Sequence, residues 1–176
     1  MRLPGSHLLL AVLLSCAAAP SLAQAPSSEP PRDPREMAPA ALLGVWKADI
    51  AASTYGANPP REHFRSFQYT EDGKVMVHFG TINAAGAMSH GHWALQLDGT
   101  PGYEYLSTNG SMAEAEIRLT KVDEYTLNLT NSMHGKVNST ATYKLSPNGD
   151  TLTLTRNPTS PNPVKIVYRR WTAPAR

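Results

Sequence analysis

Leu43-Gly44-Val45-Trp46-Lys47 stands where a proline-rich leader stops and a regular series of alternating segments begins. A Gly-x-Trp at the entry to a first strand, followed by one hairpin signal after another, points to a small closed β-barrel around a cavity. Downstream, turn signals recur at short intervals: Asp72-Gly73, Asn83 to Gly86, Asp98-Gly99, Asn109-Gly110, His134-Gly135 and Asn148-Gly149. Asn-Gly and Asp-Gly supply the positive φ angles that tight hairpins require.

Between these turns lie segments with the period-2 alternation of strands. Glu114-Ala115-Glu116-Ile117-Arg118-Leu119-Thr120 alternates almost perfectly, as do Tyr125 to Thr130 and Thr151 to Thr155. No stretch after the leader keeps a helical period over three turns. The pattern predicts about ten strands, over 44–52, 61–71, 74–82, 87–97, 102–107, 113–122, 125–132, 136–145, 151–156 and 164–171. Short connections make consecutive strands antiparallel. One apolar face per strand gives a sheet with one buried side. Such a meander curls, and closing it removes its exposed edges. The expected fold is therefore all-β, an up-and-down antiparallel barrel, with a two-sheet sandwich as the alternative.

The N-terminus reads as an address. Arg2 supplies a positive end, Leu8 to Leu14 an apolar run, and Pro20-Ser21-Leu22-Ala23 a small-residue cleavage site. The apolar run is too short for a transmembrane helix, which needs roughly 20 residues. Residues 1–23 are expected to be a signal peptide, and the protein extracytoplasmic, periplasmic or secreted. The alternative is a lipoprotein: Leu13-Leu14-Ser15-Cys16 resembles a lipobox whose Cys16 would carry the lipid anchor. Residues 24–40 contain five prolines and few large apolar side chains, the composition of an extended linker. The folded domain is expected over 41–172, with one short helical turn near Ala40 to Leu43.

Cys16 is the single cysteine. After cleavage at Ala23 none remains, which removes disulfide frameworks, zinc–thiolate sites and cysteine nucleophiles from consideration. The formal charge is +2, and loss of the leader removes Arg2 and no acidic residue. No clustered basic face of the kind that binds nucleic acid is evident.

The Gly44-x-Trp46 entry, Ala51-Ala52-Ser53, Pro59-Pro60, the Asp98-Gly99 hairpin, the Ser146-Pro147-Asn148-Gly149-Asp150 turn and the closing Val167-Tyr168 together resemble the bacterial lipocalin-like domain. That group belongs to the calycin barrels, with lipocalins and fatty-acid-binding proteins. The resemblance covers nearly all of 42–171. It implies that Gly44 and Trp46 mark the closed end of the barrel, with a basic residue of the last strand, Arg169 or Arg170, over the indole. It also implies a bacterial source, in which the glycosylation sequons at Asn109, Asn128 and Asn138 are chance matches. Fatty-acid-binding proteins hold a carboxylate with an Arg-x-Tyr pair on the last strand. Here Ile166 lies two before Tyr168, so that site is not carried over.

Parity predicts the lining. Trp46, Phe67, Tyr69, Val77, Phe79, Trp93, Leu95, Tyr103, Tyr105, Ile117, Leu119, Leu127, Leu129, Tyr143, Leu152, Leu154 and Tyr168 are expected to point inward. The ligand-binding candidates among them are Phe67, Tyr69, Phe79, Trp93, Tyr105, Tyr143 and Tyr168, joined by Arg65, which shares the parity of Phe67. An inward Arg65 would need a counter-ion, such as a bound carboxylate or an enolate. The favoured reading puts it at the mouth with its head in water.

His90-x-His92, with His78 on the preceding strand, has metal-like spacing, but Trp93, Leu95 and Leu97 claim the inside and send both histidines outward. A zinc site also needs a third or fourth ligand, and no histidine is placed as an axial haem ligand. No metal and no cofactor are expected. Glu114, Glu116 and Arg118 read as a solvated strand face. The expected partner is a small hydrophobic or aromatic molecule, bound without catalysis. A cavity-based isomerase or cyclase using a tyrosine or histidine, and a barrel filled by its own side chains, are the two alternatives.

The leader yields its own test. N-terminal sequencing of the exported protein should begin at Gln24. A diacylglyceryl-modified Cys16, lost in Cys16→Ala, would instead establish the lipoprotein.

Overall fold

The computed structural model describes residues 38–172. The signal-peptide, lipobox and most of the linker assignments lie outside these residues. Ten strands follow a 3₁₀ turn at Ala40–Leu42: β1 (Gly44–Ala48), β2 (Glu62–Tyr69), β3 (Val75–Ile82), β4 (Met88–Leu95), β5 (Gly102–Thr108), β6 (Ser111–Lys121), β7 (Thr126–Met133), β8 (Lys136–Leu145), β9 (Thr151–Arg156) and β10 (Val164–Arg170). Each strand pairs antiparallel with its sequence neighbours, and β1 pairs with both β2 and β10. The sheet is thus a closed barrel with up-and-down order, and the sandwich is set aside.

Local chemistry explains the turns. The hairpins Asn109-Gly110 and His134-Gly135 have both central residues at positive φ, the geometry of the tightest two-residue connection. β1 is shorter than the expected 44–52 because Asp49 ends it. The Asp49 carboxylate accepts from the Ala52 amide, and its carbonyl accepts from the Ser53 hydroxyl. The chain therefore turns at 49–53 instead of extending.

The closed end is built from the opening stretch. Gly44 has φ +114°, a region that L side chains rarely adopt, and a Cβ there would lie 3.3 Å from Arg170 Nη1. Trp46 is fully buried, and its indole N–H donates to the Leu42 carbonyl at 2.8 Å. Arg170 lies with its guanidinium carbon 4.4 Å from the Trp46 ring. It also donates to the carbonyls of Leu43, Gly149 and Ala41. The two candidates for the basic cover are thereby separated. Arg170 is the cover, whereas Arg169 faces outward, 3.6 Å from Asp49 and bonded to Thr151. Leu42 and Ala38 are buried in the same core, and Tyr69 donates to the Ala38 carbonyl. The last residues before 41 are therefore packed against the barrel.

The closed half is filled by Phe67, Val75, Val77, Leu95, Ile117, Leu119, Leu127, Leu145, Leu152 and Tyr168, all buried. Strand alternation puts each of them on the inner face.

Replacing Trp46 by Ala should cost about 3–5 kcal/mol in urea unfolding, as truncation of large buried aromatics does. Arg170→Met should cost about 2 kcal/mol, because a cation–π contact and charged hydrogen bonds are lost together. Arg169→Met should change stability by less than about 1 kcal/mol, the scale of an exposed ion pair. Equal losses for the two arginines would contradict the closed-end geometry.

Candidate functional site

The inner row of β2 runs His63, Arg65, Phe67 and Tyr69, every second residue. Tyr69 reaches the closed end and Phe67 packs edge-on against Tyr143, with ring centroids 5.8 Å apart. Arg65 and His63 lie nearer the open end and line an internal cavity. Arg65 was expected at the mouth with its head in water. Instead its guanidinium lies inside the barrel, 4.7 Å from the Phe79 ring centroid and 5.6 Å from that of Tyr143. Two aromatic faces and a hydrogen bond from Nε to the Tyr168 hydroxyl (3.1 Å) compensate part of its lost hydration. Burial opposes the charge. The phenol oxygens of Tyr143 and Tyr168 and the Glu104 carboxylate outweigh that effect and hold the Arg65 pKa above its ordinary value.

A relay of hydrogen bonds fixes this arginine. Tyr168 Oη lies 3.1 Å from His63 Nε2, and Tyr55 Oη lies 3.3 Å from His63 Nδ1. The Tyr168 oxygen accepts from Arg65, so its own proton is best used on Nε2. That places the imidazole proton on Nδ1, where it is donated to Tyr55, and every group then has a partner. Burial, followed by the charges of Arg65 and Arg156, lowers the His63 pKa to about 3. The imidazole is therefore neutral at physiological pH. Burial likewise raises Tyr55 to about 12 and pushes Tyr143 and Tyr168 upward.

β5 departs from the expected parity. Tyr103 and Tyr105 face outward, 53 % and 37 % exposed, and Glu104 and Leu106 face the cavity. The reason is Gly102, which lies against Leu95 so closely that a Cβ would come within 2.4 Å of Leu95 Cδ2. With the glycine on the crowded inner face, alternation puts the tyrosines outside. There Tyr105 stacks with His92 (5.5 Å), which in turn faces His78 (5.9 Å). The outward placement of His92 agrees with its expected parity. Inside, Glu104 accepts from Asn131 Nδ2 at 2.8 Å. The other atom of that amide, Asn131 Oδ1, is buried without a hydrogen-bond partner. The register of β7 and β8 shifts here: Asn131 pairs with Ser139 and Ser132 with Val137, so Asn138 is an extra bulged residue.

The cavity has a volume of about 300 Å³. Phe79, Trp93, Tyr143, Leu129 and Leu154 form apolar walls, with Arg65, His63, Glu104 and Asn131 as polar groups and Arg156, Glu114 and Met133 also on the wall. Gly91 opens room for the Phe79 ring, because a Cβ there would sit 2.5 Å from Phe79 Cζ. Of the residues expected to bind ligand, Arg65, Phe79, Trp93 and Tyr143 meet at this cavity. Phe67, Tyr69 and Tyr168 lie behind or below it as support, and Tyr105 is on the outer surface. His63, Glu104, Asn131 and Arg156 were not anticipated. Stepping back by two from Phe67 and Arg65 reaches His63, so its inward position was available from the pattern. Glu104 carried no such signal, since an acidic residue between two tyrosines reads as solvent-facing. Among the described residues, no group of three or more His, Cys, Asp or Glu could hold a metal ion.

The closed ten-stranded antiparallel barrel is consistent with a calycin-like fold. No family model matches the chain, and no curated protein matches it.

The low pKa of His63 makes stability pH-dependent with a definite sign. Below about pH 6.5 the unfolded chain protonates this histidine while the folded barrel keeps it neutral, so the folded state loses stability on acidification. Between pH 6.5 and 5 the loss from this group should be about 1.6 kcal/mol, because the slope rises to about 1.36 kcal/mol per unit only below the unfolded pKa. Urea unfolding across that window should show the slope, and His63→Gln should flatten it. An unchanged slope in the variant would show that His63 titrates normally.

Proposed function

We propose that this protein is an exported lipocalin-like barrel that binds a small apolar or aromatic molecule in its cavity without transforming it. One observation carries the reading. Inside the barrel, a space of about 300 Å³ is walled by Phe79, Trp93, Tyr143 and Leu154 around a few polar groups. Ligand sites are typically concave, largely apolar and fitted with a small number of oriented polar groups, in volumes of about 300–1,000 Å³. The same space weighs against a barrel filled entirely by its own side chains.

The enzymatic alternative has less support. Proton transfer needs a group that can reach the substrate. Tyr168 does not line the cavity, and both ring nitrogens of His63 are engaged by tyrosine hydroxyls. These groups serve to hold Arg65 in place. Export rests on the leader pattern of Arg2, the Leu8 to Leu14 run and the Ala23 site. Among the described residues, no helix is long and apolar enough to cross a membrane.

A neutral naphthalene dye whose emission rises in apolar surroundings should bind saturably. Phe79→Ala should weaken that binding several-fold, since an aromatic contact contributes about 0.5–1.5 kcal/mol beyond area burial. Thr140→Ala, on the opposite face of β8 from Ala141 and Tyr143, should leave it unchanged. No saturable signal from protein with native near-ultraviolet dichroism would remove the cavity as a binding site.

A further inference from the structure

The Arg65 guanidinium is only partly used by the barrel. Its Nε–H donates to Tyr168, while its two terminal nitrogens have no hydrogen-bond acceptor and no carboxylate within 4.0 Å among the described residues. Those nitrogens form the outward prong of a planar fork that matches the two oxygens of a carboxylate. The fork is also rigidly held. Phe79 and Tyr143 lie beside it, and the Tyr168–His63–Tyr55 relay anchors its inner edge. These nitrogens open onto the cavity, so their four N–H groups can meet an acceptor placed there.

We infer that the ligand is a small monocarboxylate, its carboxylate seated on the terminal nitrogens of Arg65 and its apolar body directed toward the mouth. This rests on the reading of the cavity as a ligand site and adds the chemical class. The depth of Arg65 sets the orientation: Trp93 and Leu154 flank the inner part of the cavity, and Leu106, Leu129 and Met133 offer apolar contact along the way out. Glu104 does not take the place of the ligand's carboxylate. It forms no ion pair within 4.0 Å of Arg65, and its Oε2 is held by Asn131. Its charge confines a second carboxylate to the Arg65 side of the cavity. Arg156, on the cavity wall, adds positive potential that favours entry of an anion.

Calorimetric titration with a matched pair of probes, 2-naphthoate and the neutral 2-naphthamide, tests this at neutral pH. The carboxylate should bind at least tenfold tighter to the intact protein. Arg65→Met should erase the difference, so that 2-naphthoate binds no tighter than 2-naphthamide to that variant. Arg65→Lys, which keeps the charge but not the fork, should retain only part of the preference and serves if the methionine variant does not fold. Equal binding of both probes to the intact protein, or a preference that persists without Arg65, would overturn the carboxylate assignment and leave the cavity reading intact. If neither probe binds, the cavity reading falls and this inference falls with it.

Discussion

Closure of β1 onto β10 is the interaction on which the rest depends. It is narrow: only Trp46–Arg170, Lys47–Arg169 and Ala48–Tyr168 are register partners. Backbone bonds from Asp49 N–H to Val167 and from Trp171 N–H to Val45 extend it at either end, and Thr54 and Lys165 exchange a further pair beyond Asp49. So short a seam needs support, and Arg170 supplies it by covering Trp46 while tying the carbonyls of Leu43, Ala41 and Gly149 together. Gly44 is part of the same device, because its backbone takes a conformation that favours glycine and leaves space for that arginine. Without closure, β1 and β10 would each present an unpaired edge, the feature that drives strand-to-strand aggregation.

Closure also creates the cavity chemistry. Tyr168 is more than a hundred residues from His63 and Arg65 in the chain, yet it bonds both. It can do so only because the last strand lies next to the first and the first next to the second. The cavity-facing cation is thus coupled to the fold. An arginine inside an apolar barrel is costly unless its donors and charge are met. Here one donor is met by a phenol, two faces by aromatic rings, and the charge in part by Glu104. The relay ends at Tyr55, in the loop between β1 and β2, so the loop after the seam also helps to position the cation.

The two ends of the barrel are built for different tasks. Toward the closed end, large aliphatic and aromatic side chains interlock around Trp46 and the 38–43 segment. Toward the other, β6 offers Ala113 and Ala115 where the deeper positions hold Ile117 and Leu119, and small side chains leave the space that becomes the cavity. The bulge at Asn138 and the polar pair Glu104–Asn131 lie in this looser half.

Strand number, strand order and the closed end were legible in the sequence because they depend on local rules. Asn-Gly and His-Gly turns need positive φ, alternation has a period of two, and Gly44-x-Trp46 marks the start of the first strand. Two of the expected strand ranges, 136–145 and 151–156, match the structure and seven shift by one or two residues at their ends; β1 was shortened more, by the Asp49 turn. The inner face of β5 was not legible. Two tyrosines look like lining and a glutamate looks like surface, and only the contact between Gly102 and Leu95 across the β4–β5 connection reverses them. The environment of Arg65 was likewise a tertiary decision. Parity pointed it inward, but whether a charge can stay there depends on which groups surround it, and Phe79, Tyr143, Tyr168 and Glu104 come from four other strands. Backbone periodicity is a property of neighbours in the chain, and so the sequence alone determined the barrel. The balance of desolvation against partners is a property of neighbours in space, and so only the closed tertiary structure determined what the barrel holds.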